Sequence, residues 1–459
     1  MGESEAPSDQ SQSTVDSFEG MFRHEAVAPP ATVFEHRMEV VDTPVVPVER
    51  YTSEAFHQLE KERVWGKVWQ VVGLADDIRD PGDTLVYDCA GISALVVRQA
   101  DGSIKAFHNT CLHRGMRLRD EPGNISSIRC AFHGFNWDLE GSCKYIPESW
   151  DFPQLEQAQL SLPELQVGQW QGYVFVNSDL NAPPLASYLG AMPEQWDSAG
   201  WSLAERYKAA HIIKKIPANW KVAQEAFMES FHATSVHPDS ILPAAPMAAM
   251  RQDVYRDEKH FARGVGAAGV LTMSGPLNRE AEQKAVDHWI DYYAPEFKNK
   301  PGYVVGENES ARDVIWRLTV AKMKADQGCD ISAMNRFDAI DYVWYNVFPN
   351  FMPWPTLGYP LGYWFRPDGG PQNCTMDIVL LLPFQGERPA SATPIVVEQG
   401  ESCEPALGAI GAILDEDMAN MPKIQQGLES SVTGHINLAG FHESRLRHFH
   451  RTLGQYVSD

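Results

Sequence analysis

Two short patterns constrain this chain more than anything else in it: Cys111-x-His113 and Cys130-x-x-His133, with sixteen residues between His113 and Cys130. Each is short enough for one tight loop. Each loop would then offer one thiolate and one imidazole to a shared metal group. Two thiolates and two imidazoles suit a [2Fe–2S] cluster in which both cysteines bind one iron and both histidines the other, a ligation that raises the reduction potential above that of an all-cysteine cluster. Tetrahedral zinc also accepts two cysteines and two histidines. Zinc fingers, however, place both cysteines ahead of both histidines, whereas here each loop contributes one of each. Gly115 and Gly134 close the two loops, and glycines there let backbone amides approach the cluster sulfurs.

The rest of the chain bounds what such a cluster can serve. Its 459 residues allow two or three domains and a large core. A net charge of −23 argues against a nucleic-acid partner. Setting Cys111 and Cys130 aside from the seven cysteines leaves five scattered thiols, which suits a reducing cytoplasm better than a disulfide framework. No run approaches about eighteen apolar residues, so no membrane span is expected. The opening residues carry neither a basic n-region nor an apolar h-region, so no secretory signal is expected.

The pattern along the chain predicts three parts. Residues 1–35 read as an acidic, mobile tail. Residues 45–180 begin with a helix over 53–65 and continue as short β-type runs separated by turn signals such as Asp80-Pro81-Gly82, which predicts a small antiparallel domain holding both loops. A Pro-containing passage near 181–195 marks a boundary. Residues 181–459 then alternate longer helices with long strands, including 341–352 and 375–384, before a helical C-terminus from about 411. The class predicted is α+β.

A second constellation lies within Asn219–His237. His232 and His237 are five apart, about 500° around a helix, so both can reach one metal only if the helix bulges or ends between them. Glu225, Glu229 and His232 fall on one face of an uninterrupted helix, where a carboxylate can fix the ring of a ligand histidine. Two histidines need a third donor. Two histidines and one carboxylate with open positions are the hallmark of non-haem Fe(II) oxygenases. The candidates are Asp415, Glu416 and Asp417. Apolar residues around the pair (Phe227, Met228, Phe231, Val236) and the aromatic run at 344–354 predict a pocket for an apolar or aromatic substrate.

With these residues in view, the chain resembles the large (α) subunit of the Rieske non-haem iron ring-hydroxylating oxygenases, the family of naphthalene dioxygenase, from about residue 45 to the C-terminus. The loops CLHRG and CAFHG match its Rieske motif, and NWK…E-x-F-x-E-x-F-H-x₄-H matches its iron motif. The resemblance implies a mostly antiparallel β Rieske domain beside a helix-grip (START-like) catalytic domain. It implies Cys111, His113, Cys130 and His133 as ligands of one [2Fe–2S] cluster. It implies His232, His237 and Asp417 as ligands of one Fe(II), with Asp415 and Glu416 as alternatives. Glu229 would be the catalytic bridging acid that links the iron to His133 of a neighbouring subunit. Ala226 stands where relatives often carry Asn. Ala226, Phe227, Phe231 and Phe348 would line the substrate pocket.

The resemblance further implies electrons from NAD(P)H through a reductase, with or without a ferredoxin, and assembly as a homotrimer with or without a small β subunit. The implied activity is O₂-dependent hydroxylation of an organic substrate, with ring cis-dihydroxylation ahead of monooxygenation or oxidative demethylation. The alternative of another class is a non-catalytic Rieske electron carrier or ligand-binding protein. Arg114, Arg117 and Arg119 in the first loop would form a local positive patch that steers an acidic redox partner.

Overall fold

The computed structural model describes residues 22, 25–203, 205–241, 250–271 and 278–458. Two large sheets organise it, and Val45–Pro47, expected in the first part, pairs instead with His435–Asn437 near the C-terminus. The first is a seven-stranded sheet in the order Gln70–Leu74, Tyr173–Asn177, Glu164–Trp170, Ile104–His108, Ile92–Arg98, Asp83–Cys89 and Gly123–Asn124, with a small three-stranded sheet beside it. Alternation in these short strands sends Val96 and Ala106 into one buried cluster and Leu95, Val97 and Phe107 into another on the opposite face, as a period of two requires. The expected helix begins at Glu54, where the Ser53 hydroxyl accepts the Phe56 amide at 3.3 Å, and ends in a π-helical turn at Lys61–Trp65.

The second unit is an eight-stranded sheet, antiparallel except where Ile395–Val397 runs parallel to Arg206–Ile216. The long apolar run at 341–352 is not one strand. It splits into Tyr342–Val347 and Phe351–Pro353, which pair with each other through Val347 and Phe351. Pro349 sits in the reversal, since it has no amide to give a central strand. Strand Phe261–Gly266 shapes the sheet face beside it. Gly264 lies opposite Trp344 and Gly266 opposite Tyr342. A Cβ at Gly264 would come within 2.4 Å of the Trp344 ring, and one at Gly266 within 2.0 Å of the Tyr342 ring. These glycines therefore let two large rings lie flat over their neighbour strand. Helices Arg279–Tyr293, Ala311–Gln327, Ala409–Met418, Met421–Glu429 and Ser444–Ser458 surround the sheet, giving the α+β arrangement expected.

The tail expected over 1–35 needs correction at its described end. Residues 1–21 and 23–24 lie outside the described residues. Phe22 is buried against Phe34 and Phe337, and Glu25 pairs with Arg312 at 2.7 Å. Val33 is fully buried. The acid at Glu25 is thus an ion-pair partner for a buried guanidinium, not a solvated tail charge.

Candidate metal centres and substrate pocket

The two cysteine–histidine loops have the same backbone. In each, the Cys amide donates to the carbonyl five residues on (Cys111 to Met116, 2.7 Å; Cys130 to Phe135, 2.9 Å). In each, the Gly amide four residues on donates back to the Cys carbonyl (Gly115, 3.0 Å; Gly134, 3.1 Å). Both glycines hold the left-handed conformation this turn requires, φ +76° and +83°. The loops face each other. Cys111 and Cys130 are buried, and the rings of His113 and His133 lie 4.7 Å apart, with His133 exposed. Burial and the adjacent Cys130 thiol push the Cys111 thiol up. Buried sulfur and exposed imidazole fit a mixed-ligand [2Fe–2S] cluster whose histidine edge reaches the surface.

The expected arginine patch is reduced. Arg117 pairs with Asp88 at 2.7 Å and Asp120 at 3.2 Å. Arg119 donates to the Glu121 carbonyl, and Arg114 lies over the Phe132 ring. Asp88 and Asp120 offset the charge of Arg117, while no carboxylate side chain bonds Arg114 or Arg119 among the described residues.

At the second centre the helix does end before the first histidine. Asn219 caps helix Trp220–Glu225 by accepting the Lys221 amide at 3.0 Å, and anchors it by donating to the Tyr51 and Pro371 carbonyls. The chain then turns, and a single helical turn, Ala233–Val236, carries His232 and His237 at its two ends. This break corrects the expectation that Glu225 shares a face with Glu229 and His232. Glu225 instead accepts from Tyr51 at 3.0 Å and pairs with His450 at 2.9 Å.

Asp417, in the last turn of helix Ala409–Met418, completes the group. One donor atom from each of His232, His237 and Asp417 lies within 4.8 Å of the others. Asp417 Oδ1 is 2.8 Å from His237 Nε2 and 3.3 Å from His232 Nε2. Each imidazole also has a carboxylate on its other nitrogen. Glu229 lies 2.6 Å from His232 Nδ1, and Glu416 lies 2.6 Å from His237 Nδ1. That arrangement frees both Nε2 atoms for one cation and fixes both rings. Asp415 turns away and accepts the Cys403 amide at 2.9 Å.

Burial opposes charge on His232, but hydrogen bonds to Asp417 and Glu229 outweigh it and raise the imidazole to about 10. Burial likewise opposes ionisation of Asp417, yet the two histidines hold its carboxyl below the usual range. The group is built to hold positive charge. A divalent metal would compete with a proton for the same Nε2. Two nitrogens and one carboxylate oxygen fit Fe(II) with positions left open.

A cavity of about 120 Å³ opens onto these ligands. Phe227, Tyr342, Trp344, Trp354, Tyr359 and Tyr363 wall it, with Ile410 and Leu414 from the helix that carries Asp417. Two of the four expected pocket residues, Ala226 and Phe227, line it. Phe231 does not: after the helix ends its ring points outward, 48% exposed, and stacks on His442. Phe348 does not either. It sits in the strand reversal and lines a separate small cavity beside Met228 and Phe449. Tyr342, Tyr359 and Tyr363 were not singled out from sequence. The alternation of Tyr342 and Trp344 was the available signal, but only the sheet register shows which face of the strand is the pocket.

The fold and its two centres define a class: a cluster-binding β domain joined to a helix-and-sheet domain with a two-histidine, one-carboxylate site. Residues 68–156 match the Rieske [2Fe-2S] domain, and residues 196–459 match the catalytic domain of ring-hydroxylating alpha subunits. The chain belongs to the ring-hydroxylating alpha subunit family.

The chain is 37% identical over 202 residues to the alpha subunit of chlorobenzene dioxygenase from Cupriavidus sp. (strain PS12), covering 43% of this chain and 45% of that protein. It is 29% identical over 189 residues to the oxygenase subunit of carnitine monooxygenase from Acinetobacter baumannii, covering 41% and 51%. The matched stretch thus spans about half the length of these curated relatives. Among solved structures, a naphthalene 1,2-dioxygenase bound to phenanthrene shares the fold with a TM-score of 0.65 at 18% identity, over 91% of this chain and 93% of that one. A quaternary ammonium Rieske monooxygenase shares it with the same TM-score and identity, over 90% and 95%. No helix among the described residues is long and apolar enough to cross a membrane.

Proposed function

We propose that this chain is a terminal oxygenase component that hydroxylates an apolar or aromatic organic substrate with O₂. The observation that carries the reading is the meeting of His232, His237 and Asp417 on one wall of an aromatic cavity. Iron held by these residues would activate O₂, with electrons from a [2Fe–2S] cluster held by Cys111, His113, Cys130 and His133. The remaining work falls to side chains. Phe227, Trp344 and Tyr363 hold a flat substrate against the ligands and exclude water. Glu229 and Glu416 keep both imidazoles oriented. Electrons originate from NAD(P)H through a reductase or ferredoxin, in a cytoplasmic homotrimer with or without a β subunit. In that assembly Glu229 joins the iron site to His133 of the neighbouring chain.

Ring cis-dihydroxylation is the leading reaction, since beyond the proposed metal ligands, Glu229 and Ser230 the cavity presents rings and aliphatic groups. Oxidative demethylation is the second, and one observation favours it: six aromatic rings without a cationic side chain also suit a methylated ammonium held by cation–π attraction. The test supplies reduced holoenzyme with ¹⁸O₂ and, separately, a bicyclic arene and a quaternary amine. Two labelled oxygens in an arene diol support dihydroxylation, and labelled aldehyde released from the amine supports demethylation. Failure to oxidise either compound, with O₂ uptake unchanged in His237→Ala, would contradict the proposal.

A further inference from the structure

The Rieske and catalytic units meet around a second cavity, of about 380 Å³, remote in chemistry from the aromatic one. The segment Leu74–Asp76, the hairpin at Gln171–Gly172 and the start of strand Arg206–Ile216 contribute to its wall. Five cationic side chains line it: Arg79, Arg98, Arg206, Lys208 and Arg388. A single carboxylate, Asp76, lines it with them. In a chain of net charge −23, that local excess of positive charge calls for a cause.

Asp76 and Asp77 are the carboxylates that bond members of this set. Arg79 takes both oxygens of Asp76, at 2.8 and 2.6 Å, and Arg388 approaches the same carboxylate at 3.5 Å. Lys208, 1% exposed, pairs with Asp77. Arg98 has only neutral acceptors, the carbonyls of Ile78 (2.6 Å), Gly102 (2.6 Å) and Ala75 (3.0 Å). Arg206 is only 8% exposed. Its Nη2 donates to the Pro355 carbonyl, and its Nη1 has no partner among the described residues. Burial lowers Arg206 to about 10, which still leaves it charged at neutral pH. Asp338 and Glu205 act on Arg206 only from beyond hydrogen-bond reach, so the buried Nη1 lacks an acceptor, and an oxyanion supplies the acceptors that a guanidinium fork matches.

We propose that this cavity binds a small oxyanion, a phosphate or a carboxylate group, held between Arg98 and Arg79 of the Rieske unit and Arg206 and Arg388 of the catalytic unit. The ligand ties the two units together. The volume leaves room for an organic body attached to the anionic group. The site is separate from the oxygenase chemistry and stands or falls without it.

The experiment is calorimetric titration of the holoenzyme, with thermal denaturation alongside, in three arms at matched ionic strength: inorganic phosphate, succinate and sodium chloride. Saturable heat and a rise in Tm with phosphate or succinate, absent with chloride, are expected. The stronger of the two arms identifies the source of the anionic group. Arg388→Gln and, separately, Arg79→Gln should each weaken binding by at least about tenfold, the scale of one charge-assisted hydrogen bond, while the cluster absorbance and iron content stay unchanged. Arg79 is 40% exposed, so its variant tests the site even where loss of Arg388 impairs folding. Chloride-like behaviour of both oxyanions would overturn the proposal, as would wild-type affinity in the folded variants.

Discussion

Glu229 and Glu416 carry the sharpest predictions, because each bonds the Nδ1 of a different histidine of the proposed iron site at 2.6 Å. Glu416→Gln should weaken iron affinity by about 10–100-fold, the range for losing such a partner, as measured by competition with a chelator. Asp415→Asn should retain iron normally, since that carboxylate serves the Cys403 amide. The reverse ranking would mean that the acidic triple presents a different face to the metal. Glu229→Gln should keep cluster and iron loaded and lower turnover at least about tenfold. Wild-type rates of cluster oxidation by O₂ and substrate in that variant would remove Glu229 from the electron path. Donor types drew notice to His232 and His237, the family resemblance chose Asp417 from three acids, and the fold brings one donor atom of each together. The sequence left Glu416 only as a rival ligand. Three consecutive acids point in three directions on a helix, and only packing decides which one meets His237.

Among the elements, helix Ser444–Ser458 is held by buried neutral histidines. His448 donates to the Glu258 carbonyl at 2.8 Å, with Arg451 and Glu39 nearby. His260, on the facing segment, lies between the Tyr188 carbonyl at 3.1 Å and the Tyr456 hydroxyl at 3.0 Å, beside Lys259. Burial depresses both imidazoles from 6.5 to about 4. The unfolded chain therefore binds more protons than the folded one between these values. Their contribution is complete above pH 6.5 and is lost as pH falls toward about 4. Tm should drop on acidification from about pH 7 to about 5, and the drop should be shallower in His448→Gln. An equal slope in the variant would place the acid sensitivity elsewhere. The same elements show where pattern reading falls short. Phe231 was expected in the pocket as one of the apolar residues beside the histidine pair, but the helix stops at Glu225 and the chain beyond it turns the Phe231 ring outward. Trp344 belonged to the aromatic run that predicted the pocket, but Tyr342 was hidden because its place depends on glycines in another strand.

For the whole molecule, the change from short β runs to longer elements predicted a boundary near 181–195, and the match to the catalytic domain begins at residue 196. The packed segment after Glu25 was not readable, since its partner Arg312 lies 287 residues away. His133 is exposed and its own chain's Glu229 faces His232, so the proposed assembly passes electrons between chains. Mixing His133→Ala with His237→Ala under conditions that exchange subunits should restore part of the turnover, since a sound cluster in one chain then serves sound iron ligands in the next. Persistent inactivity in proven hetero-oligomers would favour transfer within one chain.

The central claim is that one chain holds two distinct iron centres. Iron, zinc and acid-labile sulfide analysis of the wild type and Asp417→Ala tests it most directly. One [2Fe–2S] cluster with a dithionite-bleached visible spectrum is expected in both proteins, and one further iron in the wild type alone. Stoichiometric zinc without labile sulfide, or full iron content in Asp417→Ala, would contradict it.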